Sequence, residues 1–232
     1  MAAQEVFLIR HGETEWSLNG RHTGLSDIPL TENGRQVARL WQPYASARKF
    51  ALVLSSPLQR ARETCELAGL AGEAQIEDDL REWNYGNYEG LTPQQIRAAQ
   101  PEWLIFRDGC PGGESPDQVG TRVDRVITRI RAASGDVAIF AHGHVLRVFG
   151  ARWLELPPSA GSHFLLETAT LCVLSSYRDV PAVKRWNAPL VIGGARREES
   201  REQRREQSRE SHSSVGRDIR EHETSSFQDS AR

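Results

Sequence analysis

Several things that could have settled the class of this chain are missing or scarce. It has three cysteines in 232 residues. Cys65, Cys110 and Cys172 lie far apart and form no Cys-x-x-Cys pair, which argues against a disulfide framework and against a cysteine zinc site. Charge of one sign is also lacking: the formal net charge is −2, so the basic excess of a nucleic-acid surface is absent and no nucleic-acid partner is expected. No apolar run approaches the roughly 18 residues of a membrane span. The apolar stretch Val6–Ile9 is too short for a secretory signal and has no basic region before it. These absences point to a soluble, cytoplasmic protein with no membrane partner.

Hydrophobic residues make up only 38% of the chain, and they are unevenly spread. Beyond about Gly194 there is no Leu, Met or Trp, and the nine Arg of residues 195–232 are matched by nine Asp and Glu. Mixed charge without an apolar stripe reads as a disordered tail. The division expected is therefore a folded domain over 1–194 and a charged tail over 195–232.

Within the body, short continuous apolar runs alternate with helical periodicity. Val6–Ile9, Ala51–Leu54, Val137–Phe140 and Leu171–Leu174 read as buried strands, with a weaker one over Val183–Trp186. Continuous rather than alternating apolar strands imply a sheet covered on both faces. Helix starts are marked by caps. Thr31 precedes a face of Val37, Leu40, Trp41 and Tyr44, and Ser56-Pro57 offers an N-cap followed by proline at the first helical position. Thr92-Pro-Gln-Gln95 and Ser115-Pro-Asp-Gln118 read as capping boxes. After Ser115, Val119, Val123, Val126, Ile127 and Ile130 share one helix face, and Gly135-Asp136 marks the exit to the next strand. Alternation of this kind predicts an α/β fold, a three-layer α/β/α sandwich around a mostly parallel central sheet.

Chemistry-bearing residues cluster where these strands end, and ligands of open α/β sheets bind at the carboxyl ends of strands. Arg10-His11-Gly12 follows the first strand. Ser55-Ser56-Pro57-Leu58-Gln59-Arg60 follows the second and opens a helix, whose first turn is an anion site within reach of the Arg60 guanidinium. Ala141-His142-Gly143-His144 follows a third. Two histidines at His-x-His spacing can hold metal, but the rings share a face only if the strand runs on through Gly143. No metal and no cofactor are expected. A glycine- and aromatic-rich loop, Leu80 to Gly90, carries Glu82 and Glu89, both candidates for proton transfer.

Arg10-His-Gly-Glu-Thr14, Ser55 to Thr64, Glu82 with Gly86 and Glu89-Gly90, and His142-Gly143 occur in the order and spacing of the histidine phosphatase superfamily. The chain thus resembles the phosphoglycerate-mutase-like group over about residues 4–190. Trp16-Ser17, Thr23-Gly24, Arg81 to Gly86, Arg107 to Cys110 and Ala141 to His144 look most like its sedoheptulose-1,7-bisphosphatase and broad-specificity acid phosphatase branch.

The resemblance implies a phosphomonoesterase acting on small phosphorylated metabolites, sugar phosphates or bisphosphates, through a phosphohistidine. His11 resembles the nucleophile, and Arg10, Arg60 and His142 would hold the phosphoryl oxygens. Glu82 would give its proton to the leaving group and then activate water. That role asks for a carboxyl protonated when substrate binds, so an acidic to neutral optimum is expected. Ser17, Thr23, Gly24, Tyr85, His144 and Arg147 would contact substrate. Ser17 stands where asparagine is common in the family, and Arg147, one turn beyond His144, could grip a second phosphate. Family members are often dimers, so a homodimer is a state the resemblance allows.

Other readings stay open. One is mutase-type phosphoryl transfer, which the Trp83-Asn-Tyr-Gly86 stretch and the short Gly90–Ser115 segment disfavour. Another is a protein phosphatase or adaptor docking through its tail. A third is a catalytically dead binding module.

Overall fold

The computed structural model describes residues 3–190. The proposed boundary at Gly194 and the charged segment 195–232 lie outside the described residues. The elements, in order, are β1 (Val6–Arg10), α1 (Glu15–Leu18), α2 (Glu32–Arg39), α3 (Gln42–Ser46), β2 (Leu52–Ser55), α4 (Gln59–Leu67), β3 (Ala74–Ile76), α5 (Pro93–Ala99), α6 (Ile105–Asp108), α7 (Pro116–Arg131), β4 (Val137–Ala141), α8 (Gly143–Trp153), β5 (Leu171–Tyr177) and β6 (Val180–Ala188).

They build one six-stranded sheet in the order β3-β2-β4-β1-β5-β6. β1 to β4 are mutually parallel, while β5 and β6 add an antiparallel hairpin at one edge. The sheet is mostly parallel, with helices packed on it.

Side-chain alternation divides the buried strands between two cores. Val6, Leu8, Leu54, Val137 and Ile139 face one core, which the buried stripe of α7 and the apolar residues of α8 complete. Phe7, Ile9, Val53, Ala138 and Phe140 face the other, covered by Trp41, Ala45, Cys65 and Ala68. Each such large side chain taken fully out of water contributes about 1.5–3 kcal/mol before chain entropy is subtracted. Both Thr92 and Ser115 form the capping boxes that the sequence announces.

Three local expectations need correcting. The face read from Thr31 to Tyr44 belongs to two helices, because the chain breaks at Leu40 and restarts with Pro43 in the first turn of α3. Ser56 is not a helix cap: α4 begins only at Gln59, its N-cap is Leu58, and no side chain caps it. The helix before β4 stops at Arg131, short of Gly135.

Parallel register positions the site. Arg10 pairs with Ala141 and Ser55 with Phe140. The residues just past three adjacent strand ends, His11, His142 and Ser56, are therefore forced together.

Candidate active site

His11 is buried at the end of β1, and its main-chain N–H still extends the ladder, donating to Ala141 O at 3.0 Å. Its Nδ1 lies 2.6 Å from Gly12 O. A carbonyl can only accept, so Nδ1 carries the proton and the Nε2 lone pair is free. Burial, then Arg60 and Arg10, hold the ring well below the usual imidazole range, which keeps it neutral. The turn that follows is packed tightly. Gly12 N–H donates to Thr64 Oγ1 at 3.0 Å, and a Cβ on Gly12 would stand 2.6 Å from Gly34 O.

His142, the N-cap of α8, lies beside it with ring centroids 5.2 Å apart. Its Nδ1 accepts from Arg60 Nε at 3.1 Å, and its Nε2 sits 2.7 Å from Ser56 Oγ. Burial, Arg60 and His11 depress this histidine as well. Arg60 is fully buried and spends most of its donors on protein, reaching Ser26 O at 2.8 Å, Thr23 O at 3.0 Å and Gly24 O at 2.8 Å. Glu89 secures that loop from the other side, accepting from Gly24 N at 2.9 Å and Ser26 N at 3.2 Å. Glu89 is thus a brace for the Arg60 loop rather than a proton-transfer group.

Glu82 occupies the opposite wall. Oε1 accepts from Trp83 N and Val145 N, both at 2.9 Å, and Oε2 accepts from His144 N at 3.0 Å. The first amides of α8, which have no partner within the helix, therefore hold the carboxyl group, and Oε2, with a single amide donor, keeps a lone pair for a proton. Its loop is fixed in turn by buried Arg122, which reaches Glu114 Oε1 at 2.8 Å, Asp79 O at 2.6 Å and Arg81 O at 2.7 Å, while Glu114 Oε2 accepts from Asn84 N at 2.8 Å.

These groups border a cavity of about 230 Å³ lined by Arg10, His11, Glu82, Tyr85, Gly143 and His144, with Ser17, Thr23 and Arg147 at its sides. Arg10 gives one N–H to Leu166 O at 2.5 Å, while its buried Nε has no partner among the described residues. A larger cavity of about 500 Å³ lies over Gln59, Arg62, Glu63 and Ile76, but no histidine lines it.

Not every sequence candidate faces this space. Arg60 and His142 are not among the residues that line it. Gly24 is set back against Glu89 and Trp83 O, where a Cβ would meet atoms at 2.5 and 2.7 Å. The Ser17 hydroxyl, expected to reach phosphate, donates to Thr14 O at 2.8 Å within the cap of α1, so its proton is already used. Tyr85 OH pairs with His144 Nδ1 at 2.5 Å. Arg147 lies over Phe106, 4.4 Å from the ring centroid, with Nε donating to Gly161 O at 3.1 Å.

Two charged or polar side chains that line the cavity, Arg21 and His22, were not among the sequence candidates. Their only sequence signal is position, directly before Thr23-Gly24.

A family model described as the histidine phosphatase superfamily (branch 1) matches residues 6–189. An acid phosphatase of Mycobacterium tuberculosis is 41% identical over 170 residues, 72% of this chain and 83% of that protein. The sedoheptulose 1,7-bisphosphatase of Saccharomyces cerevisiae is 38% identical over 181 residues, covering 64% of this chain and 67% of that one. Among solved structures, a mycobacterial glucosyl-3-phosphoglycerate phosphatase superposes with a TM-score of 0.72 at 27% identity, covering 81% of this chain and 100% of the other. The chain belongs to branch 1 of the histidine phosphatase superfamily, and it is a phosphatase.

Proposed function

We propose that the enzyme hydrolyses small phosphorylated metabolites, with sugar phosphates and bisphosphates the favoured class, through a phosphohistidine on His11. The observation that carries this reading is the state of His11: neutral, with its proton tied to Gly12 O, and its Nε2 lone pair open to a cavity that Glu82 borders. Nε2 attacks phosphorus, the ester P–O bond breaks, and Glu82 supplies the proton that the departing alkoxide takes. Water then attacks the phosphohistidine, Glu82 takes a proton from it, and phosphate leaves with His11 restored.

Charge on the phosphoryl oxygens is met by Arg10, whose orphaned Nε supports an anion at this position, and by Gly143 N–H at the start of α8. Each preorganised donor of this kind is worth about 10²–10³ in rate. Arg60 adds positive potential, and the neutral His142 ring adds positioning. Thr23, Tyr85, His144 and Arg147 meet the leaving group, with Arg147 available to a second phosphate. The names of the acid phosphatase and bisphosphatase relatives support the substrate class. Three buried free thiols support a cytoplasmic setting.

Rapid quenching with a labelled sugar phosphate tests the reading. The expected result is acid-labile phosphate on the protein, lost together with turnover in His11→Ala. Unchanged turnover in that variant overturns it.

A further inference from the structure

Next to the phosphoryl cavity lies a second one, of about 360 Å³. His22, Pro93, His144 and Arg147 line both. An ester whose phosphorus sits on His11 therefore has a direct route for its alcohol into the second space. The chemistry changes along that route. The first cavity is built of charged and polar groups, whereas the second is walled by Trp103, Leu104 and Phe106. Leu104 is 47% exposed there, an uncovered aliphatic side chain beside a catalytic centre.

His22 stands at the passage and has no role in the steps above. It is 7% exposed, its ring stacks on Tyr85 with centroids 4.5 Å apart, and its buried Nε2 has no hydrogen-bond partner among the described residues. Buried polar atoms in folded proteins are nearly always satisfied, so an exception at the mouth of a ligand cavity points to a partner the ligand brings. Two further guanidinium groups line the second cavity: Arg107 is paired with Asp108 at 2.8 Å, and Arg97 donates from Nε to Trp103 O at 3.3 Å.

We propose that the second cavity receives the far part of the leaving group. Besides compact sugar phosphates, the enzyme then takes longer esters: their alcohol carries a hydroxyl near the phosphate, which pairs with His22 Nε2, followed by an apolar body lying against Trp103, Leu104 and Phe106. The proposal rests on the phosphomonoesterase reading above and adds to it a specificity-determining residue and a substrate shape.

A series of ethyl, butyl and hexyl phosphate tests it on the full chain, because the three leaving alkoxides differ little in reactivity and kcat/KM then reports contact with the alkyl group. A buried methylene is worth about fourfold, so kcat/KM is expected to rise at least about tenfold from ethyl to hexyl phosphate. Leu104→Glu is expected to remove that rise. A hydroxyl on the second carbon of hexyl phosphate is expected to raise kcat/KM about fivefold in the native enzyme and not in His22→Phe. A flat alkyl series, or one whose slope survives in Leu104→Glu, overturns the apolar cavity. A hydroxyl effect that survives in His22→Phe overturns the role of His22. Absence of turnover on every ester, p-nitrophenyl phosphate included, is a different result and overturns the phosphomonoesterase reading itself.

Discussion

Arg60 Nε donates to His142 Nδ1 at 3.1 Å, and this bond decides where His142 keeps its proton. A guanidinium cannot accept, so Nδ1 must, and the proton lies on Nε2 facing Ser56 Oγ at 2.7 Å. Ser56→Ala leaves that buried N–H without its partner and frees the ring to turn. Losing such a bond costs about 1–3 kcal/mol, and kcat/KM is expected to fall about fivefold at the lower end of that range. Steady-state kinetics on any good phosphomonoester checks this, and a rate equal to that of the native enzyme contradicts it.

The acid side of the pH–rate profile tests the state of His11. Protonated imidazole cannot attack, but burial with Arg60 and Arg10 nearby depresses this ring well below its ordinary value of 6.5. The expected kcat/KM shows no acidic limb inflecting near pH 6.5. Arg60→Met removes one cause of the depression and is expected to move the acidic limb upward, whereas a limb near pH 6.5 already present in the native enzyme contradicts the depressed His11.

Stability should show the same sign. His22 is lowered from 6.5 to about 4 by burial. As pH falls below 6.5 the unfolded chain binds a proton that the folded chain refuses until about pH 4, so folding is penalised across that window. At pH 5 the linkage amounts to about 2 kcal/mol for this one residue. His22→Phe is expected to narrow the gap between the melting temperatures at pH 7 and pH 5, read by calorimetry. An unchanged gap contradicts it.

Removing the buried Arg122 guanidinium leaves Glu114 Oε1 and two loop carbonyls without the donor it supplies. Arg122→Met is expected to destabilise by about 3–5 kcal/mol, the range for breaking a buried pair. Because these bonds hold the loop of Glu82, kcat should fall more than KM rises. A purely structural Arg122 would lower the melting point and leave kcat per folded molecule unaltered.

Gly34 in α2 backs the catalytic turn so closely that a Cβ would stand 2.3 Å from Glu13 O. Gly34→Ala must push α2 and residues 11–14 apart. The expected result is at least about a hundredfold loss of kcat/KM in a protein that still folds, since misplacing a reacting group by 1 Å costs that much. Circular dichroism and kinetics together check it.

Much of this was readable in the residues because local and tertiary signals agreed. Val6–Ile9 and Val137–Phe140 are apolar, bounded by polar turns and buried on both faces, so their ends and the histidines there were apparent. β3 was not: Ala74-Gln75-Ile76 is three residues long and Ile76 is 53% exposed, so no apolar run marks it. The β5–β6 turn was hidden for a different reason. Arg178 and Asp179 both take positive φ, 51° and 65°, without the glycine or asparagine that usually announces such a turn. Ser56-Pro57 misled because a serine before proline carries the sequence mark of a helix cap, while the hydroxyl is claimed by a histidine 86 residues away. His22 left no periodic or motif signal at all. Its environment is assembled from Tyr85, Trp103 and His144, all remote in sequence.

Two of the amides that grip Glu82, those of His144 and Val145, and the histidine that caps the same helix, His142, lie within four consecutive residues at the start of α8. The anchor of the proposed proton donor and the proposed oxyanion support are therefore carried by one helix, and any drift of that helix moves both at once. A sequence change that retunes one also detunes the other. On the proposed reading, substrate preference is freer to diversify along α5 and α6, of whose residues lining the second cavity Pro93 alone also borders the phosphoryl cavity. In a lineage of such enzymes, new leaving groups should be acquired between Thr92 and Asp108 long before the β4–α8 junction changes.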